Sequence, residues 1–295
     1  MNKFLRLTLL IFPFLFSCEG KKETLPAYIT VPSIDFKYDN LATVGNGGTA
    51  ITDVWIYDNA NLLGVFELPA TVAVATSGTH DISVGAGIKL NGISATREAY
   101  PFYQRWMSNI DLVPLDTATI TPIVSYYPDA GISFKEEFEN AVIKVDTISI
   151  SDVALVRTPT EPNDPIYVEK FVGLATINDA NKGFKALTKD LFMVPTSSTL
   201  PIYLELDYKC NQEFTIAALI QNPGQGTSEN PLITLRSTVK DGEMQWKHIY
   251  IDLTDNFSGQ VNATGFGVSF TAYYNSGNTE GYIYLDNTKV VNTKQ

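Results

Sequence analysis

Ile202-Tyr203-Leu204-Glu205-Leu206-Asp207-Tyr208-Lys209-Cys210 is the stretch on which the fold turns. Successive side chains of a strand point to opposite faces. Ile202, Leu204, Leu206, Tyr208 and Cys210 therefore share one face, and Tyr203, Glu205, Asp207 and Lys209 the other. Such alternation predicts a strand with its apolar face in a core, where Cys210 is a buried, inert thiol.

The same period recurs outward from there. In Trp246–Leu253, Ile249, Ile251 and Leu253 fall on one face, and Trp246, His248, Tyr250 and Asp252 on the other. In Tyr282–Asp286, Ile283 and Leu285 oppose Tyr282, Tyr284 and Asp286. Helical periodicity is almost absent elsewhere. Short runs rich in Val, Ile, Thr, Tyr and Phe end at Gly, Asn, Asp or Pro, which predicts an all-β protein of the sandwich kind.

Nearer the start, Val54–Tyr57 reads as a strand, 58–61 as a turn and Leu63–Glu67 as the returning strand. Leu68-Pro69-Ala70 redirects the chain into Thr71–Ala75, and Ser77-Gly78 turns it into His80–Val84. Pro114, Pro122 and Pro128 interrupt sheet, because proline lacks a backbone donor. The expected organisation is a small β-sandwich over 28–122, a linker over 123–133 and a jelly-roll sandwich over 134–293. The hydrophobic fraction of 44%, with 12% aromatics, supplies cores for both.

The first residues carry Lys3 and Arg6, then an apolar run from Leu7 to Phe16 interrupted by Pro13. At helical rise this run reaches about 15 Å, too short to span a bilayer. It reads as an export signal over 1–17, followed by a tether over 18–27 with the charged stretch Glu19-Gly20-Lys21-Lys22-Glu23. The formal charge of −11 includes Lys3 and Arg6, so loss of the signal leaves the chain near −13. An acidic chain without a basic cluster argues against a nucleic-acid partner and against electrostatic attraction to anionic lipid.

Leu15-Phe16-Ser17-Cys18 resembles the bacterial lipobox. The resemblance implies acylation of Cys18 and attachment to the outer membrane, with the charged tether similar to those of Bacteroidetes surface lipoproteins. Tyr57, Leu63-Gly64, Leu68-Pro69-Ala70 and Gly78-Thr79-His80-x-Ile82-x-Val84 resemble the small PEGA-type sandwich of bacterial surface proteins, over about 54–87. The order of Phe134–Glu139, Pro201–Tyr208, Gln245–Leu253 and Gly281–Asn287 resembles the jelly rolls of carbohydrate-binding modules, over most of the second unit. That resemblance implies glycan binding without catalysis, no cofactor beyond a structural calcium, and Glu137, Glu139 and Asp286 as candidate calcium ligands. Asp116-Thr117-Ala118 and Asp146-Thr147-Ile148 resemble Bacteroidetes O-glycosylation sites, with Thr117 and Thr147 as acceptors.

Catalytic chemistry finds little purchase. The two histidines, His80 and His248, fall in different units, and neither a zinc-binding nor a nucleophile-elbow pattern occurs. Gly45-Asn46-Gly47-Gly48 lacks the lysine and helix of a phosphate cradle and reads as a loop. Glu136, Glu137, Glu139, Glu205 and Asp207 are the carboxylates from which a glycosidase pair would be drawn. A binding face fits better. Tyr203, Glu205, Trp246, His248, Tyr250, Tyr282 and Tyr284 share the polar face of their strands, where rings stack on sugars and polar groups meet hydroxyls. Strand pairing and coverage by a second layer are the ordinary uses of the same rings. Arg97–Tyr103 with Trp106 forms another aromatic-rich segment, suited to core packing or to a partner. The expected function is a lipid-anchored envelope protein that binds a glycan or envelope partner. The alternatives are an assembly subunit of a surface complex and a glycan-active enzyme.

Overall fold

The computed structural model describes residues 25–39, 44–75, 77–196, 200–275, 277 and 279–294. Cys18 and the signal segment lie outside them. The first unit contains β1 (Ala27–Val31), β2 (Asp35–Phe36), β3 (Asp53–Asp58), β4 (Asn61–Glu67) and β5 (Ala70–Val74). It continues with β6 (Gly78–Lys89), β7 (Arg97–Ala99), β8 (Trp106–Leu112), β9 (Thr117–Thr119) and β10 (Ile123–Val124). The main sheet runs β4-β3-β6-β7, with β8 also on β6, and β5-β1-β9 forms a second layer. The β3–β4 hairpin closes through Asn59 and Ala60, both at positive φ, the backbone a tight two-residue hairpin turn requires.

The second unit opens with β11 (Ala130–Glu136), β12 (Val145–Thr147), β13 (Val156–Pro159), β14 (Phe171–Ile177) and β15 (Gly183–Thr188). Then follow β16 (Ile202–Cys210), β17 (Phe214–Asn222), β18 (Gly226–Leu235), β19 (Val239–Lys240), β20 (Glu243–Met244) and β21 (Lys247–Asp252). A single helical turn, α1 (Thr254–Phe257), precedes β22 (Gly265–Tyr273) and β23 (Gly281–Thr293). One sheet runs β13-β14-β23-β16-β21 with β11 also on β23, and the other runs β12-β15-β22-β17-β18. The protein is therefore all-β, and its second unit is a two-sheet sandwich. Among the described residues no helix is long and apolar enough to cross a membrane.

Between the two sheets lies a core that takes Leu204, Leu206, Cys210, Ile249, Ile251, Leu253, Ile283 and Leu285, the apolar halves of the three alternating segments. Burial pushes the Cys210 thiol up to about 11, which keeps it protonated and unreactive. The stretch 123–133 holds β10, which pairs with β2, the buried Tyr126 and the first residues of β11.

Strand β23 changes neighbours along its length. Gly281–Leu285 pair with β14, and Thr288–Thr293 pair with β11. The changeover falls at Asn287, which takes a positive φ of 47°, opposite a register shift between Glu205 and Asp207 of β16. This irregularity opens the polar face of the sheet to the glycine loop of the first unit.

Candidate functional site

The polar face of β16, β21 and β23 has two halves. In the inner half the first unit covers the sheet, and its core continues into Tyr203, Tyr250 and Val291. Tyr203 is 2% exposed and donates to Glu98 at 3.0 Å, while Tyr250 is 1% exposed and shares a 2.9 Å hydrogen bond with Tyr103. Tyr100 packs at 4.5–5.2 Å between centroids against Tyr103, Tyr203 and Tyr250. Aromatic pairs of this kind add about 0.5–1.5 kcal/mol beyond area burial.

Glu205, wholly buried, accepts from Tyr100 at 2.5 Å and Tyr126 at 2.6 Å, and Lys289 Nζ stands 3.3 Å away. Burial first, and the Glu205 charge next, hold the Tyr100 hydroxyl far above the ordinary phenol range. Asp207 accepts from the Gly48 N–H at 2.8 Å and the Asn287 amide at 3.0 Å, and pairs with His248 Nδ1 at 2.8 Å. The far nitrogen of His248 lies 3.7 Å from Glu205, beyond hydrogen-bond reach. Lys289 also donates to the carbonyls of Val44 and Asn46.

The glycine loop is thus a plug. Its N–H groups meet carboxylates of its own chain, Asn46 N on Glu137 and Gly48 N on Asp207. A Cβ on Gly48 would stand 2.8 Å from Asp207 Oδ1, so only glycine lets the backbone approach this closely. At the sheet edge Leu90 bridges Tyr250, Asn91 N–H donates to the Tyr250 carbonyl and Asn91 Oδ1 accepts from Asp252 N–H, which covers an otherwise open strand edge.

An expectation is corrected here. Tyr203, Glu205 and Tyr250 are an inter-unit core, not an open ligand platform, and the His248 side chain is buried against Asp207. Tyr100, Phe102, Tyr103 and Tyr126 cover Tyr203, Glu205 and Tyr250, supplied in large part by the aromatic-rich segment of the first unit. Alternation reveals which face a residue occupies, but not what lies upon it.

The outer half stays open. Trp246, Tyr282 and Lys209 line a cleft of about 680 Å³ with Glu161, Asp164 and the β19–β20 hairpin. Lys209 Nζ pairs with Glu161 at 3.0 Å and Asp164 at 2.9 Å, and lies 5.3 Å and 4.6 Å from the ring centres of Trp246 and Tyr284. The Trp246 N–H donates to Asp164 at 2.7 Å, which fixes the indole. Tyr284 meets Trp246 edge-on at 6.4 Å and stands beside the cleft rather than in its wall. Tyr282 donates to Glu280 and presents a half-buried ring. The segment 161–165, whose carboxylates complete this arrangement, carried no periodic signal in the sequence.

The candidate calcium ligands are otherwise engaged. Glu137 pairs with Lys135 and accepts Asn46 N–H, and Glu139 accepts the N–H groups of Lys170 and Phe171. Asp286 accepts from Asn287, and burial, with the charges of Asp207, Glu139 and Glu137, pushes its carboxyl up to about 9. Among the described residues no group of three acidic, histidine or cysteine side chains is arranged to hold a metal ion. Glu137, Glu139 and Asp286 form no such group.

The carboxylates considered for glycoside cleavage have structural tasks as well. Glu136 is buried and accepts the N–H groups of Phe138 and Lys144, while Glu205 and Asp207 lie beneath the first unit. His80 pairs with Asp58 at 3.0 Å in the first unit. Of the candidate glycosylation sites, Thr117 is exposed on β9, whereas the Thr147 hydroxyl is half-buried and accepts Leu155 N–H at 2.8 Å.

No protein-family model matches the chain, and no curated protein matches it. Among solved structures, a family 22 carbohydrate-binding module of Clostridium thermocellum Xyn10B is similar at 11% identity and a TM-score of 0.36, over 54% of this chain and 91% of that one. A carbohydrate-binding module of the β-sandwich superfamily is similar at 12% identity and a TM-score of 0.38, over 91% of this chain and 99% of that one. The K3 adhesin domain of Lys-gingipain from Porphyromonas gingivalis is similar at 14% identity and a TM-score of 0.34, over 55% of this chain and 98% of that one. At these scores the likenesses carry no functional weight, and the sandwich assignment rests on the strand pairings.

Proposed function

We propose that the protein is a lipid-anchored envelope protein of the outer membrane, acylated on Cys18, whose second unit binds a glycan without covalent chemistry. The observation that carries the binding assignment is the open cleft with Trp246 and Tyr282 in its wall and Lys209, Glu161 and Asp164 across its base. A half-buried indole fixed by its own N–H suits stacking on a sugar face, and the carboxylates and Asn163 suit hydroxyl groups. Lys209 is already paired with two carboxylates, so the cleft favours neutral sugars over acidic ones. The lipobox resemblance at Cys18 supports the anchor, and more than one acyl chain makes such anchoring stable.

Glycan-array binding by the full chain in detergent tests this, compared with Trp246→Ala. A neutral oligosaccharide is expected to bind, with affinity reduced about tenfold or more in the variant. Absence of any glycan ligand, or equal binding by the variant, overturns the assignment.

An assembly role has one observation of its own. Strand β4 is an edge of its sheet and exposes Leu62, Leu63 and Val65, which would suit addition of a partner strand. Failure on glycans together with capture of the chain by a purified envelope complex, lost in a Val65→Lys variant, would favour it.

A further inference from the structure

The end of the first unit away from the second exposes a group of apolar side chains. Strand β6 runs from Gly78, paired with Leu112, to a terminus just before Leu90, which bridges Tyr250 of the second unit. Twelve residues of extended chain span about 40 Å. At the Gly78 end the turn Val113-Pro114-Leu115-Asp116 sits against the start of the fold. Leu115 N–H donates to the Pro26 carbonyl at 2.8 Å, and Tyr28 N–H to the Asp116 carbonyl at 2.9 Å.

Leu25, Val113 and Leu115 are 53%, 51% and 66% exposed at this tip. Leu115 breaks two local rules at once. It takes a positive φ of 65°, where glycine or asparagine is favoured, and it exposes a leucine to water. A residue that violates backbone and burial preferences together points to a role outside the isolated fold.

We infer that this tip seats in the interfacial layer of the membrane and stands the first unit upright as a spacer. The inference rests on acylation of Cys18. Six residues separate Cys18 from the first described residue, Leu25, so the seven steps of the tether reach at most about 25 Å. The tip is where that tether enters the fold, and it is the part of the body held nearest the lipid. Asp111 and Asp116 flank the turn, and Asp116 already accepts Thr117 N–H, so the fit is to zwitterionic lipid through apolar contact rather than charge. The second unit is then held off the membrane by the length of β6.

Depth-dependent quenching tests the seating. The acylated full chain is reconstituted into phosphatidylcholine vesicles containing brominated acyl chains. An environment-sensitive dye is placed at Leu115→Cys or, in the second unit, at Val239→Cys, with Cys210 buried and unreactive. Quenching at position 115 is expected to exceed that at 239 several-fold. It should also fall to the 239 level when Leu25 and Val113 are both changed to Ser, with the melting curve unchanged. A chain retained on vesicles but equally unquenched at both positions overturns the seating alone. A chain that mass spectrometry shows unacylated and that washes off the vesicles overturns the anchor, and the seating with it.

Discussion

Two halves of one sheet face, built on the same three strands with the same alternation, have opposite fates. In the inner half, Tyr203, Glu205 and Tyr250 are sealed beneath tyrosines of the first unit. In the outer half, Lys209, Trp246 and Tyr284 border an open cleft. The chemistry of the two halves is similar, with carboxylates, a cation and aromatic rings in each. What separates them is coverage. A buried ion pair stabilises little by itself, because desolvation offsets the attraction, but removing one member leaves an uncompensated charge. The inner network therefore specifies one docking of the units, whereas the outer one leaves its aromatic surface free.

Substitution at Glu205 should break that contrast most severely. Glu205→Ala strands Lys289 and leaves Tyr100 and Tyr126 without their acceptor, at an expected cost of about 3–5 kcal/mol in urea unfolding. A loss within error would mean that the inner half does not hold the units together.

Asp286 offers a pH test. Its folded carboxyl is raised from 3.8 to about 9, so between those values the folded state binds the extra proton and stability falls as pH rises. Below the unfolded value this burden is absent. Each pH unit within the window costs at most about 1.4 kcal/mol. The melting temperature of Asp286→Asn should gain on the parent as pH climbs from 5 to 8, and a constant offset would contradict the buried neutral acid.

Gly48→Ala is expected to cost about 1–3 kcal/mol, since its Cβ meets Asp207 and the Tyr167 ring within 3.2 Å and Asp207 is held by Asn287 and His248. The smallest stability effect belongs to the outer half. Trp246→Ala should change unfolding free energy by about 1 kcal/mol or less while removing glycan affinity. If it unfolds the protein, the outer half is core as well and the contrast disappears.

The strands were legible in the sequence because alternation is a local signal. Ile249, Ile251, Leu253, Ile283 and Leu285 all reach the core that their period predicts. Trp246 and Tyr282 reach the open cleft for the same reason. Tyr203 and Tyr250 do not, because their burial depends on Tyr100 and Tyr103, about a hundred or more residues earlier, and no local period encodes that meeting. The glycine loop was likewise visible as a loop. Its role as a plug depends on Asp207, 159 positions from Gly48, and on a β-bulge that spacing does not announce. Glu161 and Asp164 were missed because they sit on an irregular segment, where neither the strand nor the helix period applies.

The position of β23 carries a consequence for how the chain is made. This strand follows every other described strand along the chain, yet it lies inside its sheet between β16 and the β14/β11 pair, and its Val291 joins the core of the first unit. Lys289 meets Val44 across 245 positions of sequence. A chain that emerges from the ribosome amino end first must therefore hold Tyr100, Tyr103 and Tyr126 without their full cover until residues 281–293 have been made. Neither unit reaches its final burial alone.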